Sequence, residues 1–325
     1  MFAEKLFNHN LKTINMKKHS VFLSVLAAGA IVLSGCEKSE LPGTASGSDN
    51  SVSFIEKSAP SRLSLNITGL APLGDFAKYE GWIIVDGNPI STGRFVVNGN
   101  GGLAPPHFNV NTAALAAATM FVLTIEPNPD PDPGPTATHI LAGAFTGNTA
   151  SLSVSHPAAL GNDFLSATGN FLLATPTTSS MTDEDKGIWF IDNSSGMPMP
   201  GLSVPVLPAG WKYEGWVVIN GVAVTTGTFL AANAADEAAP FSGSLPGPPF
   251  PGEDFIMSAP APLVFPPDLN GAPIVLTIEP SPDNSPAPFT PLKPLVGSVP
   301  IGASVHTTYP IANNATSFPT GSASR

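Results

Sequence analysis

Cysteine is nearly missing from this chain of 325 residues: there is one, Cys36. A single cysteine excludes an intrachain disulfide framework, so any folded body must rest on packing and hydrogen bonds. Charge is scarce as well. Asp, Glu, Lys and Arg make up 11% of the residues, with 13 basic side chains against 24 acidic ones. That balance repels phosphate backbones and argues against nucleic acid as a partner. Low charge combined with 42% hydrophobic residues argues against a disordered chain. There is no sustained helical periodicity. No Gly-x-Ser-x-Gly elbow, His-Glu-x-x-His pair or phosphate-binding glycine loop is present, so the chain reads as non-enzymatic, with no cofactor. Proline (36) and glycine (31) are plentiful. Proline interrupts helices and central strands, which favours short strands joined by ordered loops.

The N-terminal region carries a targeting pattern. Lys17, Lys18 and His19 precede an apolar run from Val21 to Val32, and Leu33-Ser34-Gly35-Cys36 follows. A short basic segment, an apolar stretch and a small-residue site predict a cleaved secretory signal, too short for a permanent membrane span. The last four residues resemble the lipobox of bacterial lipoproteins. The resemblance implies diacylglycerol on the Cys36 sulfur and cleavage before it. Residues 1–35 are then the signal peptide, with 1–15 an extended start ahead of Met16. Residues 36–50, rich in Ser and Gly, form a lipidated flexible tether reaching roughly 20 Å. Glu37 stands where an inner-membrane retention signal would have aspartate, so the expected location is the cell envelope, with the outer membrane favoured and its side left open. Removing residues 1–35, which hold four Lys and one Glu, would take the net charge from −11 to −14. The predicted partners are the membrane, through lipid on Cys36, and an unknown envelope protein or glycan.

The mature region repeats itself. Lys78-Tyr79-Glu80-Gly81-Trp82 recurs 134 residues later as Lys212-Tyr213-Glu214-Gly215-Trp216. Asp86-Gly87 is matched by Asn220-Gly221, and Phe95 by Phe229. Leu123-Thr124-Ile125-Glu126-Pro127 recurs as Leu276-Thr277-Ile278-Glu279-Pro280, now 153 residues on. The growing offset places extra residues in the second copy, in its Pro-rich stretch at about 240–270. Phe54-Ile55-Glu56 also resembles Phe190-Ile191-Asp192.

The motifs are β-branched and aromatic, as strands prefer. Asp-Gly and Asn-Gly are strong signals for a two-residue hairpin turn. Leu63 to Ile67 and Leu152 to Val154 alternate with period two, as half-buried strands do. The predicted fold class is all-β: two tandem Ig-like antiparallel β-sandwich repeats, at 51–160 and 161–325. Thr112 to Thr119, rich in alanine, is either one or two helical turns or a loop. The strand Asn170 to Ala174 is assigned to the second repeat, pairing near Ile188 to Ile191, with a swap into the first as the alternative. Two domains and a single pseudo-twofold body both fit the repeat.

Each copy resembles the extracytoplasmic C-terminal domain of the anti-sigma-K factor family. In the first copy the resemblance rests on Trp82, Asp86-Gly87, Gly93-Arg94-Phe95, Phe121 to Pro127, Pro135-Thr136 and Gly143. In the second it rests on Trp216, Gly221, Gly227-Thr228-Phe229, Val275 to Pro280 and Gly297. Asn128-Pro-Asp130-Pro-Asp132 and Ser281-Pro-Asp283 replace the family's usual glycines, and no sigma-binding helical region is present. The resemblance implies a shared fold and does not carry over the sigma-binding activity.

Candidate sites are few. Trp211, which has no aromatic counterpart in register in the first copy, is the expected exposed ring of a sugar-stacking face, with Tyr79 and Tyr213 beside it. Trp82 and Trp216 are expected in the core. Glu126, Asp130 and Asp132 could hold Ca²⁺, although alternating prolines separate their oxygens. Glu80, Glu214, Glu126 and Glu279 are expected to accept hydrogen bonds from backbone amides or from Lys78 and Lys212. His107, His139, His156 and His306 read as isolated. The function expected is an anchored envelope module that binds or spaces. A glycan-binding accessory lipoprotein and an envelope signalling component are the alternatives.

Overall fold

The computed structural model describes residues 60–283 and 285–325. These belong to one compact unit. Cys36, the tether and the Phe54-Ile55-Glu56 match lie outside the described residues. The chain is all-β, with antiparallel sheets forming a sandwich fold.

The first half contains β1 (Pro60–Thr68), β2 (Ala77–Val85), β3 (Asn88–Val97), β4 (Leu103–Ala104) and β5 (His107–Asn111). Helix α1 (Thr112–Ala117), β6 (Met120–Pro127), β7 (His139–Thr146) and β8 (Thr149–Leu152) follow. The alanine-rich stretch is thus helical for six residues, with the Asn111 side chain accepting from the Ala114 amide at its start. The second half opens with β9 (Thr168–Leu173), β10 (Gly187–Trp189), β11 (Ile191–Asp192), β12 (Met199–Pro200) and β13 (Leu202–Ser203). It continues through β14 (Trp211–Ile219), β15 (Val222–Phe229), β16 (Gly252–Asp254), β17 (Pro273–Pro280), β18 (Leu295–Ser298) and β19 (Tyr309–Asn313) to β20 (Thr320–Ser324).

The same four-strand order occurs in both large sheets: β3-β2-β6-β7 in one and β15-β14-β17-β18 in the other. The registers agree residue for residue. Tyr79 lies opposite Phe95 and Ile125, and Tyr213 lies opposite Phe229 and Ile278. Asp86 and Gly87 both have positive φ, 49° and 79°, and so do Asn220 and Gly221, 50° and 82°. These are the backbone values a primed hairpin turn needs, which explains the Asp-Gly and Asn-Gly pairs. The glycine of each Lys-Tyr-Glu-Gly-Trp motif has a different cause. A Cβ on Gly81 would lie 2.8 Å from the Phe121 ring, and one on Gly215 would lie 2.5 Å from the Phe190 ring. An aromatic ring rests against the bare backbone at both places.

Strand β9 pairs with β10, placing Leu173 opposite Ile188 and Leu172 opposite Trp189. It also pairs with β13 and β19, so it lies in the second sheet. The final strand behaves differently. Sequence reading groups residues 161–325 in the second repeat, yet β20 inserts into the first sheet, between β8 and β1. Ala323 lies opposite Ala150 on one side and Leu65 on the other. The physical reason is edge pairing: without β20, both β1 and β8 would present unpaired backbone groups. Arg325 fastens this strand. Its Nη1 donates to the carbonyls of Leu115 (2.6 Å) and Ala118 (2.8 Å), at the open end of α1. Its guanidinium also lies 4.5 Å from the Phe145 ring centroid. One continuous buried cluster runs through both halves, from Leu63 and Tyr79 to Tyr213, Ile311 and Ala323.

Candidate functional site

The strand pairing brings the repeated glutamates together. In the first half β2 and β6 are antiparallel neighbours, with Glu80 opposite Thr124 and Lys78 opposite Glu126. A relay of donors runs along them. Trp82 Nε1 donates to Thr124 Oγ1 at 2.9 Å, and that hydroxyl donates to Glu126 Oε1. The Thr136 amide also donates to Glu126 Oε1, at 3.0 Å. The second half repeats the relay. Trp216 Nε1 donates to Thr277 Oγ1 at 2.9 Å, Thr277 Oγ1 donates to Glu279 Oε1, and the Phe289 amide donates to the same oxygen at 2.8 Å. Burial raises the pKa of Glu126, and it raises that of Glu279 to about 8.

The other glutamate of each pair is held by a hydroxyl. Ser91 Oγ donates to Glu80 Oε1 at 2.5 Å, and Thr225 Oγ1 donates to Glu214 Oε1 at 2.5 Å. Beyond this point the two halves differ. In the first, Arg94 lies opposite Glu80 on β3. Its Nε donates to Glu80 Oε2 at 2.6 Å, and its Nη2 donates to Asp130 Oδ2. One guanidinium thus joins two carboxylates. In the second, the residue opposite Glu214 is Thr228, and Asp283 stands where the first half has Asp130.

With no arginine, three carboxylates are left together. One oxygen from each of Glu214, Glu279 and Asp283 lies within 4.8 Å of the others. Glu214 is 5% exposed and Glu279 is 1% exposed. Glu214 Oε2 is buried with no hydrogen-bond partner. Burial, opposed by the Thr225 hydrogen bond and reinforced by Asp283, raises Glu214 to about 7. Burial likewise raises Asp283. Beside these groups is a cavity of about 390 Å³, lined by Lys212, Thr228, Glu237, Glu279 and the Pro280–Asp283 turn. The Lys212 ammonium does not neutralise the trio, because its Nζ is bonded to both oxygens of Glu237, at 2.7 and 2.5 Å. No ion pair among the described residues involves Glu214, Glu279 or Asp283. Three hard oxygen donors beside a cavity are chemically suited to a hard cation.

The residues singled out from sequence are distributed otherwise. Trp211 is not a surface ring: it is 2% exposed and packs 6.2 Å from Phe289. A loop from the far side of β17 covers it, which no local signal foretells. Tyr79 and Tyr213 are fully buried, stacked on Phe95 and Phe229. Their hydroxyls donate to the carbonyls of Ala71 (2.9 Å) and Pro205 (2.6 Å), so neither offers a ligand face. Trp82 and Trp216 are buried, as expected. Of the acidic run, Glu126 is tied to Thr124 and Thr136, Asp130 to Arg94, and Asp132 to the Gly134 amide at 2.9 Å. Among the described residues, carboxylates spaced to share a metal occur instead in the second half. Glu126 and Glu279 do accept from backbone amides, but Glu80 and Glu214 accept from side-chain donors instead, and Lys212 serves Glu237 and not Glu214 or Glu279. His107, His139 and His156 each bond a nearby hydroxyl or backbone group, and His306 lies 3.4 Å from Glu184. The sequence alone did not single out Glu214, Glu279 and Asp283 as a group; its one trace of them is the exchange of Arg94 for Thr228 within Gly93-Arg-Phe95 and Gly227-Thr-Phe229. No family model matches the chain, and neither a curated protein nor a solved structure matches it.

Proposed function

We propose that this chain is a non-enzymatic lipoprotein of the cell envelope, in which a tether from lipidated Cys36 holds a rigid β body that acts as a binding or structural module. The observation that carries this reading is Leu33-Ser34-Gly35-Cys36 at the end of a short apolar run that follows two lysines. No helix among the described residues is long and apolar enough to cross a membrane. The rings expected to form a stacking face, Tyr79, Tyr213 and Trp211, are buried, while Phe76 is 77% exposed. Those three rings therefore offer a glycan no stacking face, which favours a partner bound through polar or backbone groups.

Cell fractionation tests the anchor. The unaltered chain is expected in the membrane pellet after a carbonate wash, and a Cys36→Ala chain in the soluble fraction. Full retention of the Cys36→Ala chain in the pellet would overturn the reading.

A further inference from the structure

The two halves use the same strands, the same relay and the same pair of acidic positions, yet only one contains its own cation. In the first half the Arg94 guanidinium lies between Glu80 and Asp130. In the second, the position across the ladder from Glu214 is Thr228, a side chain with neither the charge nor the reach to replace it. Truncating an arginine to a threonine removes a positive charge and several heavy atoms. A cavity of about 390 Å³ lies against Thr228, Glu279 and Asp283.

We propose that the trio Glu214, Glu279 and Asp283 binds one calcium ion, which does in the second half what Arg94 does in the first. Three observations carry this beyond a mere group of acids. The first is the spacing: one oxygen of each residue lies within 4.8 Å of the others, and opposite ligands on Ca²⁺ are about 4.6–5.2 Å apart. The second is the unpaired oxygen. Glu214 is 5% exposed, its Oε1 is taken by Thr225, and its Oε2 has no partner among the described residues. A buried acceptor left without a donor is costly, and a bound cation satisfies it. The third is the comparison within the chain itself, because the equivalent oxygen of Glu80 does have a positive partner.

Calcium fits better than magnesium. Ca²⁺ accepts irregular sets of six to eight oxygens, whereas Mg²⁺ demands near-ideal octahedral geometry and gives up water reluctantly. Carboxylates from β14, the end of β17 and the turn after it supply an irregular set. Water in the adjoining cavity would complete the shell. The proposal does not depend on the lipid anchor and would stand if that reading failed.

The test is calorimetric titration of CaCl₂ into the full mature chain, purified in detergent and stripped with chelator, alongside thermal unfolding with and without the metal. Expected are one Ca²⁺ per chain and a rise in melting temperature on its addition. Asp283→Asn should weaken binding at least tenfold. The deciding variant is Thr228→Arg, which copies the first half. It should abolish Ca²⁺ binding while leaving the chelated protein at least as stable as its parent, and it keeps the test open if a Glu214→Gln chain fails to fold. Asp132→Asn, in the first half, should leave the titration unchanged. Absence of Ca²⁺ binding would overturn the proposal. So would binding of Mg²⁺ alone, or Ca²⁺ binding that Thr228→Arg and Asp283→Asn do not alter.

Discussion

Arg94 and Thr228 hold the same place in two copies of one frame, each directly across the ladder from the glutamate of a Lys-Tyr-Glu-Gly-Trp motif. The arginine joins Glu80 to Asp130, while the threonine hydroxyl donates instead to Glu237, at 2.9 Å. The exchange of one side chain thus gives the first cluster of carboxylates a cation that the second lacks.

Removing that arginine should be felt. Glu80 and Asp130 would lose their shared partner, and Glu80 is 5% exposed. Arg94 itself is 30% exposed, so solvent screens part of the loss. Arg94→Met is expected to cost about 1–3 kcal/mol. Urea unfolding at neutral pH measures this, and a change under about 0.3 kcal/mol would show that the ion pairs contribute nothing net.

The buried tyrosines give a second prediction. Tyr79→Phe and Tyr213→Phe each delete one hydroxyl that donates to a carbonyl eight residues upstream. Each should destabilise the protein by about 1 kcal/mol. Both variants should keep the native circular dichroism spectrum, because ring packing on Phe95 and Phe229 is retained. Unchanged stability in both would mean that water replaces the hydroxyl at those carbonyls.

The last strand provides a third. Arg325→Ala removes hydrogen bonds to Leu115, Ala116, Ala118 and Gly147, together with the ring contact to Phe145. A loss of about 2 kcal/mol is expected. Hydrogen exchange locates it: amides of β1 and β8 should exchange faster, while those of β14 and β17 should not. Uniform acceleration across both sheets would contradict the pairing of β20 with the first sheet alone.

The pH dependence has a definite sign. Glu253 is fully buried, and burial raises it to about 7 against the hydrogen bond from Ser242; Asp236 rises to about 6, also mainly by burial. Between the ordinary carboxylate range and those values the folded protein holds protons that the unfolded chain releases. These groups therefore contribute stability that is fully present only below the ordinary values of 3.8 for Asp236 and 4.5 for Glu253, and that is lost as pH rises through about 6 and about 7. In chelator, the difference in urea midpoint between pH 5 and pH 8 should shrink on Glu253→Gln. An unchanged or larger difference would refute the assignment.

Much of the fold was legible in short segments. The Trp-Ile-Ile-Val and Trp-Val-Val-Ile runs form central strands, and the Asp86-Gly87 and Asn220-Gly221 turns adopt the backbone their residues favour. Even the pairing of β9 with β10 followed from its apolar run. What escaped reading depended on distance along the chain. Thr320 to Ser324 is a strand of small residues with no hydrophobic alternation, and its partners lie near residues 66 and 151. Trp211 is covered by Phe289, which comes from the loop after β17. The acidic trio draws on residues more than sixty positions apart, brought together only because β14 and β17 are neighbours. Its one local trace, an arginine exchanged for a threonine between otherwise matching motifs, becomes meaningful only when Glu80 and Glu214 are seen to face those residues.

Crystals grown in CaCl₂ and measured at a wavelength where calcium scatters anomalously would decide the matter most directly. One anomalous peak is predicted among Glu214, Glu279 and Asp283, with none beside Arg94. An empty trio at saturating calcium, or a peak that persists there in Thr228→Arg crystals, would contradict the shared frame closed by an arginine on one side and an ion on the other.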